Sequence, residues 1–136
     1  MSNLNKYDFV IYGATGFTGK LVVEYAINQY NNNDEISWAI AGRNNEKLEH
    51  IQEKYNLPSE IGKIVVDSND QNSIDEMVSQ TKCVLTTVGP YQLYGEKIIK
   101  TCISSGTDYV DLCGEPGFMH KIISECSEEA KETGAR

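Results

Sequence analysis

Five short apolar runs recur along the chain, and between them apolar positions return every three or four residues. Tyr7 to Tyr12 is unbroken enough to read as a buried strand, as are Lys63 to Val66 and Cys83 to Val88. Ile36, Trp38 and Ile40 alternate with other residues through to Ala41, which predicts another strand. Tyr109 to Leu112 makes a short fifth one. Between the first two runs, Phe17, Leu21 and Tyr25 stand one turn apart and predict a helix from about Gly16 to Tyr30. Asn31 to Asp34 is expected to end that helix. Asn44 suits an N-cap for a helix with Leu48, Ile51 and Tyr55 on one face. Ile74, Met77 and Val78 mark a short helix after Asp67. Ile98, Ile99, Cys102 and Ile103 mark another, from about Tyr94 to Ser105, with Gly106 as its stop. A last helix runs through Phe118, Ile122 and Cys126.

Strand and helix thus alternate five times across short loops. That order calls for right-handed crossovers and a mostly parallel sheet with helices on both faces. The expectation is a single α/β domain over residues 1–136, a Rossmann-like doubly wound parallel sheet with five strands visible. The usual form of this fold has six strands. The final helix runs out at Glu132 to Arg136, where the sixth would begin. A chain cut short before that strand and before a substrate domain is expected, with the fifth strand left as an uncovered edge.

Composition narrows the setting. The 136 residues are 40% hydrophobic and 24% charged, ordinary for a globular protein, and no apolar run is long enough to span a bilayer. The opening MSNLNKYDFV has neither the basic nor the apolar region of a secretory signal, so a cytoplasmic location is expected. A net charge of −8 with no stripe of lysine and arginine argues against nucleic acid as a partner. Cys83, Cys102, Cys113 and Cys126 form no C-x-x-C, and neither His50 nor His120 stands at ligand spacing from them. They read as free thiols with no metal. Oligomeric state is left open.

The chemistry begins at Tyr12-Gly-Ala-Thr-Gly-Phe-Thr-Gly19, directly after the first strand. Its glycines follow G-x-x-G-x-x-G. Gly13 permits the turn off the strand, Gly16 lets backbone approach a pyrophosphate, and Gly19 lets the helix pack closely on the sheet. Amides near Gly16, Phe17 and Thr18 would face the phosphates, and Thr15 and Thr18 each offer a hydroxyl. A glycine turn alone is a weak signal, and it could bind nothing. The strand before it and the helix after it supply the context.

The end of the second strand reads Ala41-Gly42-Arg43-Asn44, with Lys47 one turn on. NAD binders usually carry a carboxylate here. Asp34 and Glu35 lie at the wrong end of the strand. A guanidinium with no carboxylate nearby suits the 2′-phosphate of NADP, so NADP is favoured over NAD; the alternative is a solvated arginine opening a helix. Asp67 ends the third strand and either accepts from the adenine amino group or caps the next helix. Gly89, Pro90 and Tyr91 end the fourth, beside the expected ribose and nicotinamide. Tyr91 either approaches the ring or packs on the following helix. Asp111 and Glu115 sit on the same sheet edge and offer a carboxylate for proton handling or, more plainly, a loop or capping role. No catalytic residue is identified.

Taken together, Gly13 to Gly19, Ala41-Gly42-Arg43, Val88-Gly89-Pro90-Tyr91 with Tyr94-Gly95, and Tyr109 to Glu115 resemble the saccharopine dehydrogenase-like oxidoreductases. The likeness is to their N-terminal NAD(P)-binding domain and to the related trans-acting enoyl reductases. It extends from Tyr7 into the final helix. The resemblance implies hydride-transfer chemistry, with the pyrophosphate at Gly13 to Gly19, the adenosine phosphate at Arg43 and the nicotinamide near Gly89 to Tyr91. It also implies a second domain that closes over a small-molecule substrate, and it transfers no catalytic residue. A short-chain dehydrogenase mechanism needs a Tyr-x-x-x-Lys pair, and none of the eight tyrosines has a lysine four residues on. A methyltransferase on a similar sheet leaves Arg43 and the proline–tyrosine turn unexplained. A non-catalytic NADP-binding or interaction module is the alternative.

Overall fold

The computed structural model describes residues 6–30 and 33–136. Five parallel strands form one sheet in the order β3-β2-β1-β4-β5. They are β1 (Phe9–Tyr12), β2 (Trp38–Gly42), β3 (Gly62–Val65), β4 (Cys83–Thr86) and β5 (Asp108–Val110). Among the described residues six helices connect and flank them: α1 (Phe17–Tyr30), α2 (Asn45–Lys54), α3 (Gln71–Ser79), α4 (Tyr91–Tyr94), α5 (Glu96–Ser105) and α6 (Pro116–Thr133). The alternation seen in the sequence is therefore the architecture. Asn31 and Asn32, expected at the end of the first helix, lie outside the described residues.

The core divides at the sheet because successive strand residues face opposite sides. Ile11, Trp38 and Ile40 meet Val23 and Ala26 of α1 and Leu48 and Ile51 of α2. Val10, Tyr12, Ala39, Ala41 and Val84 meet Ile74, Met77 and Val78 of α3 and Ile98 and Cys102 of α5. Helix α6 lies on α5 through Phe118, Cys126, Ile99 and Ile103, with Tyr91 in the same cluster.

Capping follows the sequence at α2, where Asn44 accepts the Lys47 N–H at 3.0 Å. Gly106 ends α5 in the left-handed region at φ +69°. Helix α3 is capped by Asp70, whose carboxylate accepts from the Asn72 N–H at 3.1 Å; the capping role offered to Asp67 falls three residues later. The helix expected from about Gly16 to Tyr30 is α1, but the apolar residues one turn apart that marked it face outward: Phe17 is 85% exposed, Leu21 53% and Tyr25 63%. Gly19, Val23 and Ala26 face the sheet instead. Close backbone approach at Gly19 fixes that rotation. The helix expected from about Tyr94 to Ser105 is α5, and α4 is a separate turn that precedes it.

On the outer edge of β5, the Tyr109 N–H donates to the Arg136 carbonyl at 2.8 Å. The Arg136 guanidinium lies 3.1 Å from Asp108. Part of the edge expected to be uncovered is therefore already paired. No helix among the described residues is long and apolar enough to cross a membrane.

Candidate functional site

The strand order reverses between β1 and β4, and in such sheets ligands gather in the crevice at the carboxyl ends on either side of that point. Leaving β1, Gly13 adopts φ +89°, a conformation open to glycine at little cost. Its N–H and that of Ala14 both reach the Ala41 carbonyl of β2, at 3.0 and 3.2 Å. On the other side, the Thr87 N–H donates to the Tyr12 carbonyl at 3.0 Å. The loop is thus tied to both neighbouring strands. A Cβ on Gly19 would stand 1.8 Å from the Gly13 carbonyl oxygen, so a glycine is what lets α1 start this close to β1.

The Gly16 N–H turns back to the Gly13 carbonyl at 3.0 Å, and Lys20 donates to Gly16 at 3.0 Å. Phe17, Thr18 and Gly19 head the helix ahead of that first full turn, where amides have no carbonyl one turn back. No acidic side chain stands in the first turn of α1. Free amides, the positive end of the helix and no competing carboxylate make the donor set of an anion site. This is the fit expected of a pyrophosphate.

A cleft of about 460 Å³ opens over this turn, within the size range of small-ligand sites. Gly13, Thr15, Gly16, Phe17, Thr18 and Gly19 form one wall. Gly42 and Arg43 from the end of β2, with Ser68 beyond β3, form the adenosine-side end expected from the sequence. Thr87, Val88, Gly89 and Tyr94 close the other end, with Tyr12 at the base. Burial raises the Tyr12 phenol above its ordinary value and the Asp67 charge adds to this, while the Ser68 hydrogen bond and Arg43 act in the opposite sense.

Eight of the twelve residues expected at the cofactor therefore share this cleft. Four do not line it. Lys47 borders a separate depression between α1 and α2, with Lys20 and His50. Asp67 folds onto its own loop, accepting from the Asn69 N–H at 2.9 Å, and the cleft is lined by its neighbour Ser68. Pro90 is exposed beyond the cleft, and Tyr91 is buried at 5% exposure. The Tyr91 hydroxyl donates to the Thr86 carbonyl at 3.3 Å and accepts from the Leu112 N–H at 3.5 Å. Burial is also the main cause raising its phenol. Of the two positions left open for Tyr91, the packed one is observed.

Tyr12, Gly42, Ser68, Thr87, Val88 and Tyr94 line the cleft without having been assigned to the cofactor from the sequence. Five of them sit at or just past carboxyl ends of strands, the one signal that marked them. Tyr94 stands one turn after Tyr91 on α4, so burial of Tyr91 carries Tyr94 to the cleft. The two carboxylates after β5 are engaged with protein. Asp111 accepts from the Tyr109 hydroxyl at 2.7 Å and the Cys113 N–H at 3.0 Å. Glu115 accepts from the Tyr91 and Gln92 amides at 2.6 and 3.1 Å.

Comparison with known proteins agrees with this geometry. The model of the saccharopine dehydrogenase NADP binding domain matches residues 9–136. The chain belongs to that family. NADP is accordingly its cofactor, as the arginine after β2 led us to expect. The saccharopine dehydrogenase-like oxidoreductase of Mus musculus is 41% identical over 138 residues, covering 94% of this chain and 32% of that protein. A lipid droplet localized protein of Caenorhabditis elegans is also 41% identical over 138 residues, covering 96% and 32%. Saccharopine dehydrogenase (L-Glu forming) of Saccharomyces cerevisiae has the same fold at a TM-score of 0.64 and 18% identity, over 84% of this chain and 23% of that one. The domain thus spans about a third of the length of the two relatives.

Proposed function

We propose that this domain holds NADP(H) for an oxidoreductase that transfers a hydride to or from a small molecule, and that the substrate is enclosed by a further part of the protein. The observation that carries this reading is one cleft with an anion-binding helix start in its wall and Arg43 at one end. The pyrophosphate rests on the amides of Phe17, Thr18 and Gly19, with hydroxyl support from Thr15 and Thr18. The Arg43 guanidinium meets the 2′-phosphate, an arrangement suited to planar, charge-assisted recognition. Ser68 lies close enough to share the adenosine end. Thr87, Val88, Gly89 and Tyr94 flank the nicotinamide. Lys47, Asp67, Pro90 and Tyr91 support these groups from outside the cleft.

Bound nicotinamide supplies or accepts the hydride; this chain binds it, orients it and shields one side of it. Hydride transfer also needs a dry enclosure and a substrate held against the ring. The carboxylates after β5, Asp111 and Glu115, are committed to protein partners, so the proton-handling group and the remaining walls are assigned to the substrate domain. A cytoplasmic setting is the simplest one for the domain. The lipid-droplet name of the worm relative makes a droplet-bound protein with this domain facing the aqueous side an alternative worth testing by localisation.

The site is tested by recording backbone amide spectra of the isotopically labelled chain during titration with NADPH. Gly13 to Lys20, Arg43, Ser68 and Thr87 to Gly89 should shift together. Shifts confined to other residues, or none at millimolar NADPH, would overturn the reading.

A further inference from the structure

Helix α4 carries Tyr94 into the cleft and directly follows the Thr87-Val88-Gly89 wall, yet it is a single turn of four residues. A turn that short does not hold itself together, because helix formation has a costly nucleus. Its own cap residue, Pro90, makes no side-chain capping bond. The missing acceptor comes from another element. Glu115, at the cap position of α6, places Oε2 2.6 Å from the Tyr91 nitrogen and Oε1 3.1 Å from the Gln92 nitrogen. One carboxylate thus takes the first two amides of α4, opposite the positive end of its peptide dipoles.

The second fastening is Tyr91 itself. Its ring is buried with Ile99, Ile103 and Phe118, and its hydroxyl joins the Thr86 carbonyl at the end of β4 to the Leu112 amide beyond β5. The chain between Thr86 and Tyr91 is therefore pinned at both ends, and Gly89 lies in that span. Glu115 itself is not among the residues lining the cleft.

We infer that Glu115 is a positioning residue for the nicotinamide side of the cleft: it caps α4 from across the sheet edge and so fixes Tyr94 and the 87–89 wall. This rests on the reading of the cleft as an NADP(H) site. It assigns Glu115 no contact with cofactor and no proton transfer. Its effect falls on the half of the dinucleotide that lies against α4. The adenosine half, held at Gly13 to Gly19 and Arg43, should not feel it.

Two ligands separate the halves: NADPH, and 2′,5′-ADP, which lacks the nicotinamide. With Glu115→Ala, NADPH should bind about tenfold more weakly and lose part of the blue shift of its nicotinamide emission, while 2′,5′-ADP stays within about twofold of wild type. Glu115→Gln keeps the length and one acceptor oxygen and should fall between the two. It should also exchange the Tyr91 and Gln92 amide hydrogens faster than wild type. NADPH affinity and emission unchanged in Glu115→Ala would overturn the inference. Equal weakening of both ligands would also overturn it, by assigning Glu115 to general stability; if Glu115→Ala does not fold, Glu115→Gln decides by the same comparison. Wild-type chain that binds neither ligand would overturn the reading of the cleft itself, and this inference with it.

Discussion

Replacing Gly19 by alanine perturbs the chain at the point where fold and site meet. The added Cβ would stand 1.8 Å from the Gly13 carbonyl oxygen, 2.6 Å from its carbon and 3.0 Å from the Ala14 Cα. All three are backbone atoms, so no side chain can swing aside. Restoring an ordinary contact of 3.4 Å requires the two segments to part by about 1.6 Å. Overpacking of this kind costs about 1–3 kcal/mol. In a domain of this size that lowers the melting temperature by roughly 3–12 °C. The same displacement carries the first amides of α1 away from the phosphates, well beyond the spread of about 2.7–3.2 Å over which such bonds form. Losing one charge-assisted bond there, about 1.5–3 kcal/mol, weakens NADPH some ten- to a hundredfold. Gly16→Ala is the contrast, because its Cβ meets only the Gly13 oxygen at 3.5 Å. It should leave the melting temperature nearly unchanged and still weaken NADPH, since it puts a methyl on the cleft wall. Thermal melts and NADPH fluorescence titrations on both variants decide the matter. A Gly19→Ala chain that melts and binds like wild type would show that the close approach of Gly19 to Gly13 sets neither the packing nor the site.

Three further outcomes follow from other parts of the structure. Arg43→Ala should weaken NADPH by about 1–3 kcal/mol and leave NADH within twofold, measured by calorimetry with each cofactor; equal loss of both would remove Arg43 from the 2′-phosphate. Asp8 accepts from Lys82 Nζ at 2.8 Å and from the Ser37 N–H at 2.9 Å, and Lys82 first, then Ser37, holds its carboxyl below the ordinary value. Its contribution is therefore present above the unfolded carboxylate range near pH 4 and fades as pH falls through the lower folded value. Asp8→Asn should be less stable than wild type by about 1 kcal/mol at pH 7, with the gap closing in denaturant titrations as pH falls below the ordinary carboxylate range. Among the thiols, Cys102 is fully buried, and burial, with smaller contributions from Cys83 and Asp108, pushes it up to about 12. Cys126 is 5% exposed. Iodoacetamide at pH 8 should spare both until denaturant is added, and rapid labelling of all four cysteines in the native chain, counted by mass spectrometry, would contradict the packing.

What the sequence made legible was local. Strand and helix order, the Asn44 cap, the Gly106 stop and the glycine turn each depend on residues within a few positions of one another. The orientation of α1 was not local. Phe17, Leu21 and Tyr25 have the right spacing for a buried stripe, yet contact between Gly19 and Gly13 turns the small residues Gly19 and Ala26 to the sheet, with Val23 between them. Size at the point of closest approach outweighed hydrophobicity. The site shows the same division. Gly13 to Gly19, Arg43 and Gly89 could be found because strand ends mark them. The difference between Asp67 and Ser68 is a single step along a loop, set by the hydrogen bond from the Asn69 amide. Exchange of Tyr91 for Tyr94 depends on Glu115, 24 residues from Tyr91, and no short-range pattern announces a cap supplied from that distance.

The central claim is that one cleft binds a dinucleotide and reads its 2′-phosphate through Arg43. Calorimetric titration of the wild-type chain with NADPH and, separately, with NADH at the same ionic strength tests it most directly. One site per chain is expected, with NADPH bound at least tenfold more tightly than NADH and the difference shrinking as salt is raised. Equal affinity for the two would contradict the role of Arg43, and binding of neither by folded protein would contradict the cleft.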